Sequence, residues 1–198
     1  MDPMFERKTN RLACISPCRG YSGEVFSELT KANIRLKVFS FVKIPLIFFC
    51  RPRVLALDEN QCIIRIPLRR RTRNHMNSMY FGALAIGADL ACGMLALEQV
   101  RRKGVKVSFL FKDMQGNFLK RPEGHVHFTC TEGETVRKML DETIESGERV
   151  NQPLRIIATV PSISPEEAVA EFTLTLSLKA ASGGKPDRKN PELTGAQK

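Results

Sequence analysis

Residues 79–97 read MYFGALAIGADLACGMLAL. At helical pitch this stretch presents no polar side, and a helix with no polar face must be covered almost completely. Its length approaches the roughly 20 residues that cross a bilayer. Asp89 stands at its centre, where an acid costs about 2.5–3.5 kcal/mol on insertion scales. A membrane span is therefore disfavoured, and the cover must come from the rest of the chain.

That cover is legible as strands. VLALD (Val54 to Asp58) and CIIRIPL (Cys62 to Leu68) flank the turn residues Glu59 and Asn60. VKVSFLFKD alternates, with Val105, Val107, Phe109 and Phe111 on one side. Gln115-Gly116-Asn117 reads as a hairpin turn, followed by GHVHFTC with Val126, Phe128 and Cys130 on one face. LRIIATV and AEFTLTLSL close the series, the latter with Phe172, Leu174, Leu176 and Leu178 in line. A period of two marks half-buried antiparallel strands, each with one face for a core. About six such strands and one all-apolar helix predict an α+β fold. A curved antiparallel sheet wraps around a central helix at about 78–101.

Two further helices flank it. From Gly23 to Leu46, Val25, Phe26, Leu29, Ala32, Leu36 and Phe39 recur every three or four residues, and Pro45 and Pro52 mark the exit. This amphipathic N-terminal helix, rich in Lys and Phe, reads either as an interfacial membrane anchor or as a helix laid across the core or a pocket mouth. A surface helix spans about 133–147. Thr131 and Glu134 have capping-box spacing, Val136, Met139, Leu140 and Ile144 form its apolar stripe, and Gly147 closes it. The predicted organisation is a loose segment over 1–22, a single domain over 23–181 and a polar, disordered tail over 182–198.

The six cysteines form no CxxC pair, and three lie in apolar segments. That pattern fits reduced thiols in a cytoplasmic setting, without a disulfide framework. The formal charge of +10 favours an anionic partner: nucleic acid, an acidic membrane surface or a phosphorylated small ligand. The basic run RRRTR (Arg69 to Arg73) lacks the companion pattern of a nucleic-acid module. It reads as a solvated strand end that can also meet ligand phosphates. His125 and His127 share a strand face but lack a third metal ligand.

The acid in the apolar helix has two readings. It is a structural Asp bonded to a strand or loop, or it is a reactive group. Burial without a partner is costly, so either reading requires a reason. The helix is rich in small residues, and Gly82, Gly87 and Gly93 each cost about 1 kcal/mol relative to Ala. They point to close approach by the sheet or by a second helix. Ser78 reads as the N-cap.

The run NHMNSMYFGALAIGADLACG (Asn74 to Gly93) resembles the central-helix motif of the hotdog-fold acyl-CoA thioesterases. It is most similar to a branch with Asn-His, Ser-Met-Tyr-Phe-Gly and Ala-Asp elements, and the likeness extends over roughly residues 35–180. In the more distantly similar phenylacetate-type enzymes, a His and a Gly stand where this chain has Tyr80 and Phe81. The resemblance implies a hotdog homodimer, or a dimer of dimers, that hydrolyses an acyl-CoA thioester at an interface site without a metal or other cofactor. Asp89 would be the base or nucleophile, with Asn74 and His75 as further catalytic candidates. The amides of Phe81 and Gly82 would receive the oxyanion, and Ser78, Met79 and Tyr80 would contact substrate. A non-catalytic acyl-CoA or fatty-acyl binding protein of the same fold is the alternative. Neither nucleic acid nor an integral membrane segment is expected, whereas peripheral membrane contact stays open.

One length bears on the site. Gly82 and Asp89 are seven residues apart, about 10 Å along a helix. Two groups acting on one carbonyl carbon must lie closer than that, so two antiparallel helices at a dimer interface are the expected solution.

Overall fold

The computed structural model describes residues 22–180. The segments read as loose, 1–22 and 182–198, fall outside these residues except for Ser22, as do Cys14 and Cys18. Helix α1 (Ser22–Val42) and the short α2 (Pro45–Cys50) lead into strands β1 (Arg53–Leu57) and β2 (Cys62–Ile66). Helix α3 (Phe81–Lys103) is followed by β3 (Val107–Phe118), β4 (Val126–Cys130), α4 (Gly133–Ser146), β5 (Val150–Val160) and β6 (Ser164–Ala180). The six strands form one sheet in the order β1-β2-β4-β5-β6-β3, and every neighbouring pair is antiparallel.

Helix α3 lies across β1, β2, β4, β5 and β6. This is the hotdog arrangement expected from the sequence. The alternation drives it: Ile64, Ile66, Val126, Phe128, Leu154, Ile156, Phe172, Leu174 and Leu176 are all buried. They face Ala83, Leu84, Ala88, Ala91, Leu95 and Ala96 of the helix within one apolar cluster. Gly87 explains how close the layers come, since a Cβ there would meet the Phe128 ring at 2.2 Å. The 23-residue helix is long and apolar enough to cross a membrane by length and composition alone. Here 56% of its apolar window is buried inside the protein, with the sheet on one side.

Several local expectations are corrected. Gln115, Gly116 and Asn117 do not turn the chain. They continue β3 and pair with Thr173, Phe172 and Glu171 of β6. Gly116 serves packing, because a Cβ would press on the Phe172 ring at 2.9 Å. The Thr131–Glu134 capping box does not form. The N-cap is Glu132, without a side-chain cap, and its carboxylate accepts from the Thr135 hydroxyl. Gly147 closes α4 as expected, in the left-handed region at φ 69° with its N–H on Thr143 O. Ile144 is turned outward, and Thr143 takes the buried position.

In α1 the inward face is Ala32, Leu36 and Ser40. Ser40 lies one helical turn past Leu36, so Phe39 points away from the core. The helix stops at Val42 and α2 restarts at Pro45, where the missing proline N–H does no harm. Asn33 joins α1 to the sheet's first strand. Its amide nitrogen donates to Val54 O and its oxygen accepts from Val54 N, both at 2.9 Å. This two-point clamp occupies backbone groups at the outer edge of β1.

Candidate active site

The entrance to α3 is built by a loop that closes on itself. The Thr72 hydroxyl donates to Pro67 O (2.7 Å) and accepts from Arg69 N (3.0 Å), folding the arginine run into a turn. Asn74 Oδ1 accepts from Met76 N and Ser78 N, and its Nδ2 donates to Ser78 Oγ. Arg73 and Met79 form an isolated bridge. The amides of Met79 and Tyr80 donate to Pro122 O and Thr72 O. Ser78 is therefore not the N-cap. It belongs to the closed loop, and the helix begins only after it, with Tyr80 as an N-cap in extended conformation and no side-chain cap.

This closure decides which first-turn amides remain free. Ala83 N and Leu84 N both donate to Tyr80 O. Among the described residues, the N–H groups of Phe81 and Gly82 have no backbone acceptor. They stand at the positive end of a 23-residue helix, where a developing anion is favoured.

The burial of α3 reveals a direction that its sequence hides. Gly82, Ile86, Asp89, Gly93 and Leu97 are only half-buried, and steps of four, three, four and four keep them in line along the helix. The residues between them are mostly buried under the sheet. A side chain at Gly93 would have the Phe111 ring of β3 as its nearest neighbour, at 3.9 Å. The open stripe thus looks toward the β3 end of the sheet.

Asp89 sits in the middle of that stripe. No hydrogen bond or ion pair engages its carboxylate among the described residues. Burial raises its pKa above the ordinary carboxylate value of 3.8. Near it, Cys92 is fully buried and contacts Cys130. The interaction between the two thiols holds the Cys130 thiol low and, with burial, the Cys92 thiol high. A half-buried acid with no partner is poised to take a proton rather than to hold the fold.

The other sequence candidates fall into separate groups. Asn74 and Ser78 are bonded to each other within the loop. His75 is exposed on that loop, and Met79 is buried at 2% exposure. Tyr80 and Phe81 are exposed and in tilted ring contact, with centroids 4.7 Å apart. The Tyr80 ring lies over Gly82, where an added Cβ would meet it at 2.5 Å. Aromatic side chains therefore frame the two free amides. Thr72 and Arg121 went unnoticed in the sequence. The Arg121 guanidinium donates to Met76 O at 2.5 Å and braces the loop from outside. The hydroxyl of Thr72, within a run of arginines, was the available signal.

Other clusters have structural roles. His125 Nδ1 accepts from Leu68 N at 3.0 Å. Burial and the Arg65 charge lower the pKa of both His125 and His127. Among the described residues no group of three or more His, Cys, Asp or Glu could hold a metal. A cavity of about 310 Å³ lies at the far end of α3, lined by Leu29, Arg35, Leu57, Glu98, Arg101 and Arg102 among others. Asp89 does not line it. Glu98 is buried there, which raises its pKa, but hydrogen bonds from Arg101 (2.7 Å) and Arg102 (2.8 Å) outweigh burial and lower it on balance.

The fold has recognisable relatives. The family model described as a domain of unknown function (DUF4442) matches residues 33–177. A Pseudomonas aeruginosa protein of unknown function, described as a probable thioesterase, is 24% identical with a TM-score of 0.65, over 77% of this chain and 95% of its own. A Chlorobaculum tepidum protein of unknown function reaches a TM-score of 0.67 at 16% identity, over 77% and 97%. Zebrafish thioesterase superfamily member 2 reaches 0.56 at 12% identity, over 75% and 96%. No curated protein sequence matches the chain. At these identities the structural likeness establishes the hotdog fold.

Proposed function

Given that the chain belongs to the DUF4442 family, whose model covers residues 33–177, and has a hotdog fold, we propose that it hydrolyses an acyl thioester. The substrate class is acyl-CoA of medium to long chain. The observation that carries this reading is Asp89: an acid in an apolar helix, on its open stripe, with no partner among the described residues and a pKa raised by burial. A structural Asp would be bonded, because an unpaired buried carboxylate costs several kcal/mol. The thioesterase descriptions of two structural relatives support the same chemistry.

Asp89 activates water or attacks the thioester carbonyl itself. The Phe81 and Gly82 amides receive the oxygen as it becomes negative. Their separation from Asp89, about 10 Å along the axis, calls for amides from one chain and the acid from another. Strand β3 supports a homodimer that supplies them. It is twelve residues long at the end of the sheet, with Leu110, Met114 and Phe118 exposed, and a long apolar edge is a template for pairing. The apolar stripe beside Asp89 fits an acyl chain.

The test is thiol release from acyl-CoAs of increasing length. Asp89→Asn keeps size and removes the base, so turnover falls roughly 100-fold or more while the fold persists. In the wild type the acidic limb of the pH profile lies above the usual carboxylate range, because the deprotonated form is required. Full turnover in a folded Asp89→Asn protein excludes the mechanism. Tight acyl-CoA binding without turnover in the wild type assigns a carrier role instead.

A further inference from the structure

The outer face of α1 and α2 is unlike the rest of the surface. Ile34, Val38, Phe41 and Val42 recur along α1 opposite its buried face, at 57%, 53%, 64% and 56% exposure. Leu46 and Phe49 of α2 continue the patch at 62% and 48%. Helix α1 is held to the protein by Ala32, Leu36 and the Asn33 clamp on Val54. Its outward apolar residues are therefore presented by an anchored helix.

Charge frames this patch with one sign. Residues 29–57 contain Lys31, Lys37, Lys43, Arg35, Arg51 and Arg53 and no Asp or Glu. Lys37 and Arg35 flank the apolar row of α1 on its two sides, and both are exposed. Arg71 joins from the loop before α3, its guanidinium 4.8 Å from the centre of the Phe49 ring. Among the described residues Lys37 and Lys43 make no ion pair. An apolar row edged by free lysines is the composition of a helix that lies in a bilayer interface, its cations at the phosphates and its apolar side chains below them. A protein partner would need an acidic rim around an apolar centre. A second copy of this chain would bring the same positive charge to the contact, which opposes that pairing.

We infer that the outer face of α1 and α2 docks the protein on an anionic lipid surface. This rests on the apolar row and its positive frame, and is independent of the thioester chemistry. Docking leaves β3 free, because α1 packs on β1 at one edge of the sheet and β3 forms the other.

Flotation of the full chain with vesicles tests it. The wild type floats with phosphatidylcholine–phosphatidylglycerol vesicles, stays behind with pure phosphatidylcholine, and is released by salt. Replacing Lys37 and Lys43 by Gln weakens the partition coefficient roughly 25-fold, about fivefold for each charge lost near the surface. Phe41→Ser with Leu46→Ser abolishes flotation at unchanged far-UV circular dichroism. Failure of the wild type to float on anionic vesicles, or equal flotation on both lipids, overturns the proposal. So does a serine pair that floats like wild type. A change of mass in sedimentation equilibrium caused by the serine pair would mark the face as an interface between copies, and would equally overturn it. The lysine pair, exposed and without ion partners among the described residues, serves as the variant whose folding is not at issue.

Discussion

At the scale of single residues, two atoms of the entrance turn are separable from the side chains around them. Phe81 is the first residue of α3 and its N–H has no backbone acceptor. Proline is favoured at that position, and Tyr80 already has the extended conformation (φ −65°, ψ 138°) that a following proline imposes. Phe81→Pro therefore deletes the N–H proposed as an oxyanion donor and leaves the helix. Turnover should fall roughly 100- to 1,000-fold, the usual cost of one such donor, with Phe81→Ala as the control for the lost ring. Steady-state kinetics on the two variants checks this, and equal activity would remove the amide from the mechanism. Asp89 carries a second consequence. Its folded pKa is raised above 3.8, so the native state binds the proton more tightly than the unfolded chain. Stability is then lost as pH rises from about 3.8 through the raised value. Asp89→Asn should melt higher than wild type at pH 8, and the difference should vanish near pH 3. Thermal melts across that range decide it.

At the scale of elements, α4 shows how a legible helix can hold an illegible detail. Its apolar stripe and its Gly147 stop are plain in the sequence. Thr143 in place of Ile144 on the buried face is not, because a neighbouring pair of residues differs by a rotation that only packing against α3, β5 and β6 fixes. The Thr143 hydroxyl is buried with no hydrogen-bond partner among the described residues. Thr143→Val keeps the shape and removes an unsatisfied polar group, so it should stabilise the protein by about 1 kcal/mol, measured by urea unfolding. The same contrast runs through the chain. Alternation identified the strands because a period of two reports burial directly. Gly116 misled because glycine in a turn and glycine under an aromatic ring look alike; only the pairing with Phe172 separates them. Asp89 was visible because an acid is conspicuous among Ala and Leu. The line Gly82–Ile86–Asp89–Gly93 was not, since small apolar residues surround the whole helix and the sheet alone decides which remain open. The Asn74–Ser78 lock was equally hidden, being a matter of loop closure rather than residue type.

At the scale of the whole molecule, the ~10 Å axial gap between the free amides and Asp89 turns the proposed catalysis into a question of assembly. An Asp89→Ala chain and a Phe81→Pro chain are each expected to be inactive alone. In a heterodimer one site carries both defects and the other neither. Mixing unfolded chains and refolding them together should restore up to half of the wild-type activity per heterodimer, and a mixed dimer that stays inactive would place both groups within one chain. The Asn33 clamp on Val54 bears on what such assembly can become. A sheet with two open ends can add copies without limit, in the manner of a fibril. Here one end is stoppered by a side chain of the same chain, so the sheet has a single growing end. Two such sheets that meet by those ends exhaust them. On the proposed pairing through β3, Asn33 would act as a chain terminator in the polymer sense: growth by strand addition would halt at two copies, and any larger particle would be built through another surface.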